Sequence, residues 1–146
     1  AASKLSDFTT GTFQPLIGDE SITNAQRVIM CSGKIYWELV AERAKLSDNS
    51  TAIIRVEQLY PLPVIDIVAE IGKHPSAELL WVQDEPANQG PWPFVALRTA
   101  EQFGGEGFGG RNLRRVSRRA TASPATGNHH LHEEEQKALL MEAFTR

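Results

Sequence analysis

The chain of 146 residues is 41% hydrophobic and 23% charged, with a formal net charge of -3 and one cysteine, proportions that suit a single domain able to bury its own core. The slight acidic excess gives no reason to expect nucleic acid or another polyanion as a partner. Cys31 standing alone rules out an intrachain disulfide and the four-cysteine zinc modules, and no apolar run approaches the roughly 18 to 20 residues that cross a bilayer.

The first residues, AASKL, have neither an initiating methionine nor the basic-then-apolar order of a signal peptide. They fit a processed product or a piece of something longer, soluble and in a reducing compartment. Residues 1–24 show little periodicity and read as an extended lead-in or linker, with the domain proper at 25–146. Arg27 to Cys31 (RVIMC) is a short apolar run stopped by Ser32-Gly33, the pattern of a buried strand. Lys34 to Leu46 then sets Ile35 over Leu39 and Tyr36 over Val40 and Ala44, an amphipathic helix. The turn formers Ser47-Asp48-Asn49-Ser50 end it.

Ala52 to Val56 (AIIRV) is a second strand, closed by Glu57-Gln58-Leu59-Tyr60-Pro61. After Pro61 and Pro63, residues that suit a loop and a first helical turn, Val64 to Gly72 carries a broad apolar helix face. Leu79 to Val82 is a third strand, running into WVQDEPANQGPWPF, and Trp92 to Phe103 is a helix with Phe94 and Leu97 on it. Five glycines in residues 104 to 110 mark a flexible crossing ahead of a strand over Asn112 to Arg119. A Ser/Pro/Gly loop at Thr121 to Asn128 leads to a last helix from Leu131 to Phe144, with Glu133 to Glu135 in its first turn, where the helix dipole favours acid. Strands alternating with helices imply right-handed crossovers and a mostly parallel sheet covered on both faces, a three-layer α/β/α sandwich.

Such sheets bind ligands beyond the carboxyl ends of their strands, near the point where strand order reverses. Three turns qualify: Ser32-Gly33-Lys34, Glu57-Gln58 and Gln83-Asp84-Glu85. The first offers backbone N–H groups and a cation to a phosphate, yet it matches neither the phosphate-loop nor the dinucleotide fingerprint, so a plain tight turn competes with an anion site. Asp84 and Glu85 look like a catalytic carboxylate pair, but neighbours on extended backbone point to opposite sides, which favours structural roles. Asn88, Gln89 and Gly90 suit the satisfaction of backbone groups, and Trp92 and Phe94 suit an anchor for the next helix or an interface.

The remaining constellations read as structural. His129, His130 and His132 beside Glu133 to Glu135 lack the i, i+4 spacing of a helical zinc motif and suit a solvated helix start. Arg111, Arg114, Arg115, Arg118 and Arg119 have no aromatic interleaving; a solvated strand edge, or ion pairs to a neighbouring subunit, accounts for them. Cys31 closes an apolar strand as a packing residue, and no G-x-S-x-G elbow is present. No nucleophile with a base emerges, so the residues taken alone give a soluble α/β domain not self-sufficient in catalysis; a non-catalytic module for dimerisation or for holding an effector is an alternative reading.

RVIMCSGKIYWEL, AIIRVEQLYPLP, WVQDEPANQGPWPF and RRVSRRATASPATG followed by HEEEQKALLMEAF together resemble the C-terminal domain of the thiamine-diphosphate-dependent first component of the 2-oxoglutarate dehydrogenase complex, in order from about Arg27 to the end. The resemblance implies the transketolase C-terminal fold. It also implies a full-length homodimeric enzyme of the tricarboxylic acid cycle that decarboxylates 2-oxoglutarate and passes succinyl to a lipoyl-bearing succinyltransferase partner. Thiamine diphosphate and magnesium would be held by preceding domains of the same enzyme, so no catalytic, cofactor or metal residue is carried over to this segment. It implies a cytoplasmic enzyme, or one of the mitochondrial matrix in a eukaryote, with no membrane or nucleic-acid partner. In relatives with nucleotide or coenzyme A type effectors this domain helps form the regulatory pocket near the end of the second strand, where Gln58 matches; with the turn Ser32, Gly33 and Lys34 it makes up the expected effector-binding positions, and Trp92 and Phe94 remain the expected interface positions. Where several relatives are basic after EQLYPLP, this chain has Val64, Ile65 and Asp66, a departure that weakens phosphate binding there. A relative acting on 2-oxoadipate is the alternative substrate reading.

Overall fold

The computed structural model of the chain describes residues 5–103, 108 and 110–145. A short helix α1 (Leu5–Thr9) and a two-residue strand β1 (Leu16–Ile17) precede strand β2 (Arg27–Cys31), helix α2 (Ile35–Lys45) and strand β3 (Thr51–Val56). Helix α3 (Val64–Gly72), strand β4 (Glu78–Pro86), helix α4 (Trp92–Phe103), strand β5 (Leu113–Arg118) and helix α5 (His129–Phe144) complete the order. The expected alternation is present as a mixed, mostly parallel five-stranded sheet ordered β1-β3-β2-β4-β5. Among the described strands β1 alone runs antiparallel, with Leu16 opposite Val56 and Ile17 opposite Arg55.

Each central strand is apolar on both sides, as a doubly covered sheet requires. Val28, Met30, Ala52, Ile54, Leu79 and Trp81 face one layer, with Ile67 and Ile71 of α3 and Val95 of α4. Ile29, Cys31, Ile53, Leu80, Val82 and Val116 face the other, with Ile35 and Leu39 of α2 and Leu139 and Ala143 of α5. One residue of slip would exchange these two sets, so each strand's register is held by both layers at once. The side chains are fully buried or nearly so, and each large one contributes about 1.5–3 kcal/mol through removal from water.

Three boundaries differ from the sequence expectation. Leu16 and Ile17 of the lead-in join the sheet edge, and Asp19 fastens the segment by accepting from Ile53 N–H at 3.0 Å and pairing with Arg43. Strand β4 continues past Val82 to Pro86, because its pairing with β5 resumes at Pro86 and Arg118 after a register shift. Helix α5 starts two residues early, since Asn128 caps it by accepting from Leu131 N–H at 3.2 Å. Of the glycine-rich crossing, residues 104–107 and 109 lie outside the described residues; Phe108 is buried in the first layer and bridges to Arg111.

Candidate functional site

Strand β2 lies between β3 and β4, so successive crossovers leave it in opposite directions and the switch point of the sheet falls at the carboxyl ends of β2 and β4. The turn after β2 is tight because Gly33 adopts φ +76°, a conformation glycine takes without strain. Lys34 follows it, and its Nζ lies 3.0 Å from Asp84 Oδ2 and 3.2 Å from Glu38 Oε1. Gln136 of α5 joins the same two carboxylates, its Nε2 donating to Asp84 Oδ1 and Glu38 Oε2, each at 2.8 Å. A cation and an amide thus tie β4 to α2 and α5, filling with the chain's own groups the place where related sheets hold a ligand. Hydrogen bonding to Asp84 raises the Lys34 pKa above the ordinary lysine value against the opposing effect of desolvation, and the charges of Asp84 and Glu38 add to the rise.

The network continues through Gln136 Oε1, which accepts from Arg118 at 3.0 Å, while the same guanidinium nitrogen meets His132 Nδ1 at 2.8 Å. Arg118 Nε stands 3.6 Å from Glu135 Oε2, too far for a hydrogen bond, and both atoms are buried without a hydrogen-bond partner. Beside them a cavity of about 240 Å³ opens between the end of β5, the 119–126 loop and the first turns of α5.

The stretch after β4 is organised by Gln83, which is 2% exposed. Its Oε1 accepts from Trp81 Nε1 at 3.1 Å and from Trp92 N–H at 2.8 Å. Its Nε2 donates to the carbonyls of Glu85, Pro86 and Gln89. Asn88 exchanges two hydrogen bonds with the Thr121 backbone, and Gln89 donates to Thr121 O and Ser123 O, so this turn holds the 119–126 loop. Gly90 sits at φ +64°, where an added Cβ would stand 2.8 Å from Glu85 Cβ.

The structure brings some sequence-selected residues together and separates others. Lys34, at the end of the Ser32-Gly33-Lys34 turn, meets Asp84, whereas Gln58 is bound locally, donating to Pro61 O at 2.7 Å. Asp84 turns inward to Lys34 and Gln136 while Glu85 is exposed, so the two carboxylates do not act as a pair. Trp92 is half-buried against the first layer with Arg115 over its ring, and half-buried Phe94 meets exposed Tyr60 edge to face at 6.1 Å. Burial pushes the Cys31 thiol pKa up, as suits a packing residue.

Three of the arginines of 111–119 are engaged within the domain, while Arg115 and Arg119 are exposed as a solvated edge would have them. Arg111 donates to Ile71 O and Ala77 O, Arg114 pairs with Glu78 and Glu142, and Arg118 serves Gln136 and His132, because β5 lies alongside β4 and under α5. Among the described residues no three His, Cys, Asp or Glu side chains cluster to hold a metal ion, and no helix is long and apolar enough to cross a membrane. Sequence reasoning placed Gln83 in a candidate turn without seeing its role as a hub, and it missed Glu38 and Gln136. The spacing of an amide or of a helix glutamate gives no sign of a partner that is 52 or 98 residues away.

The fold and the site together define a Rossmann-like α/β sandwich whose switch point is closed by an internal ion pair. The chain belongs to the 2-oxoglutarate dehydrogenase C-terminal family, whose model matches residues 2–144. It is 47% identical, over its whole length, to the 2-oxoglutarate dehydrogenase E1 component of Cupriavidus necator. It is 43% identical over 99% of its length to the 2-oxoglutarate dehydrogenase E1/E2 component of Corynebacterium glutamicum, and 40% identical over 99% to the 2-oxoadipate dehydrogenase complex component E1 of Danio rerio. The chain spans only 15%, 12% and 16% of the length of these relatives.

Proposed function

We propose that this chain is the C-terminal domain of a 2-oxoglutarate dehydrogenase first component, an enzyme that decarboxylates 2-oxoglutarate and transfers succinyl to a lipoyl group on a succinyltransferase partner. The observation that carries this is the family match across residues 2–144, together with the E1 names of the relatives. The domain contributes to dimer assembly and to the surroundings of the active site. Thiamine diphosphate and magnesium belong, in this reading, to preceding domains of the same enzyme. The enzyme works in the cytoplasm, or in the mitochondrial matrix of a eukaryote. A test is the full-length protein assayed with 2-oxoglutarate and with 2-oxoadipate: turnover of 2-oxoglutarate is expected to dominate. Dominant turnover of 2-oxoadipate would favour the reading represented by the Danio rerio relative.

Within this reading Trp92 and Phe94 are interface residues, supported by the exposed Tyr60 against which Phe94 packs. Alanine at both should shift the full-length enzyme toward monomer in sedimentation velocity. Ser32, Gly33, Lys34 and Gln58 form an effector site only if Lys34 leaves Asp84 and Glu38. Calorimetry with acetyl-coenzyme A and AMP, on native enzyme and on Lys34→Met, tests that role; equal heats in both would remove Lys34 from it.

A further inference from the structure

The cavity between the end of β5, the 119–126 loop and the first turns of α5 is separate from the switch point and from the positions proposed above for effector and interface. Pro86, Arg118, Arg119, Thr121, Ser123 and Glu135 are among its lining residues. Arg118 is its deepest cation, with a side chain only 9% exposed, yet its Nε–H has no hydrogen-bond acceptor. The nearest carboxylate oxygen, Glu135 Oε2, stops at 3.6 Å and is likewise buried without a partner, while the Glu135 side chain as a whole is 37% exposed. A buried guanidinium donor left unfilled is uncommon in a settled structure and marks a place where an acceptor belongs. Two guanidinium groups, the hydroxyls of Thr121 and Ser123, and one carboxylate able to swing outward make a small, net-cationic recess at the carboxyl edge of a parallel sheet. Arg118 is positioned for this role by Gln136 and His132, which hold one of its terminal nitrogens.

We propose that this recess binds a small oxyanion of phosphate size, with Arg118 Nε as the central donor, Arg119 and the loop hydroxyls around it, and Glu135 as the internal competitor that the anion displaces. Because Asn88 and Gln89 hold the loop through Thr121 and Ser123, an anion bound here would also stiffen the turn after β4.

The test is equilibrium dialysis of the full-length protein against radiolabelled inorganic phosphate at constant ionic strength. The wild type should bind one more equivalent than Arg118→Met, which should weaken this site roughly tenfold or more, as the loss of a charge-assisted hydrogen bond implies. Glu135→Gln should tighten it by about threefold, since a competing negative charge is gone while the shape is kept. Arg119→Met, on an exposed side chain, should weaken binding without disturbing the fold, so the proposal stays decidable even where Arg118→Met misfolds. Phosphate binding that is absent, or that is unchanged in Glu135→Gln and Arg119→Met, would overturn it.

Discussion

The two ends of the parallel sheet hold their charges in different ways. At the amino end Arg27, with only 7% of its side chain exposed, reaches Glu78 at 2.7 Å and Ala143 O at 2.8 Å, and Arg114 reaches the other oxygen of Glu78 at 2.9 Å. One carboxylate there serves two guanidinium groups directly. At the carboxyl end the contacts pass through an amide, Gln136, and finish in the Arg118–Glu135 pair that stays open at 3.6 Å. The amino end is a closed clamp between β2, β4, β5 and α5. The carboxyl end is a linked set of contacts that can rearrange, and it lies where sheets of this kind receive ligands.

Breaking the clamp should therefore have the largest effect. In Glu78→Gln the buried Arg27 keeps the Ala143 carbonyl but loses its counter-charge, and the loss expected from an uncompensated buried charge is about 3 kcal/mol. A urea titration followed by tryptophan fluorescence should show a lower midpoint with an unchanged slope. A loss below about 1 kcal/mol, the range of a surface pair, would show that Glu78 acts as an exposed ion pair despite Arg27's burial.

Gln136→Leu addresses the other end. It removes the donor shared by Asp84 and Glu38 and one acceptor for Arg118, but Lys34 still bridges the carboxylates and His132 still meets Arg118. A cost of about 1–2 kcal/mol follows from hydrogen bonds to charged groups that retain other partners. Hydrogen exchange should speed up in the first turns of α5 and leave β2 and β4 unaffected. A loss as large as that of Glu78→Gln would erase the distinction between the two ends.

The same contrast explains what the sequence made legible. RVIMC, AIIRV and the run into Trp81 are continuous apolar strands because both faces are covered, and each stands out against its turns without help from the rest of the chain. Leu16–Ile17 could not be read as a strand, since two residues carry no period and their pairing with Val56 and Arg55 is a tertiary event. The polar QDEP segment hid the continuation of β4, because composition reports side chains while the pairing is made by backbone. The separation of Asp84 from Glu85 followed from strand geometry alone. Neither Gln83 nor Gln136 was legible, since an amide becomes a hub only once distant groups are folded around it. Arg111, Arg114 and Arg118 looked solvated for the same reason: their carbonyl and carboxylate partners lie 28 to 40 residues away for Arg111 and Arg114.

The smallest expected effect is in the pH dependence, and its sign differs between the two ends. Burial by itself would raise the Glu78 pKa, but hydrogen bonds from Arg114 and Arg27 outweigh it and leave the group below its ordinary 4.5. Its stabilising contribution is therefore present above that value and is lost as pH falls through the lower folded pKa. Lys34 is shifted the other way, upward from 10.5, chiefly by its hydrogen bond to Asp84. Its contribution is complete below the unfolded value and is lost as pH rises through the folded one. Acid should thus loosen the amino end, and Glu78→Gln should flatten the acid limb of a stability–pH curve. The difference in urea midpoint between wild type and Lys34→Met should stay constant through neutral pH and shrink only above about 10.5. A difference that vanished already at neutral pH would mean that the exposed Lys34 side chain is solvated rather than paired, and that the switch point is held by Gln136 alone.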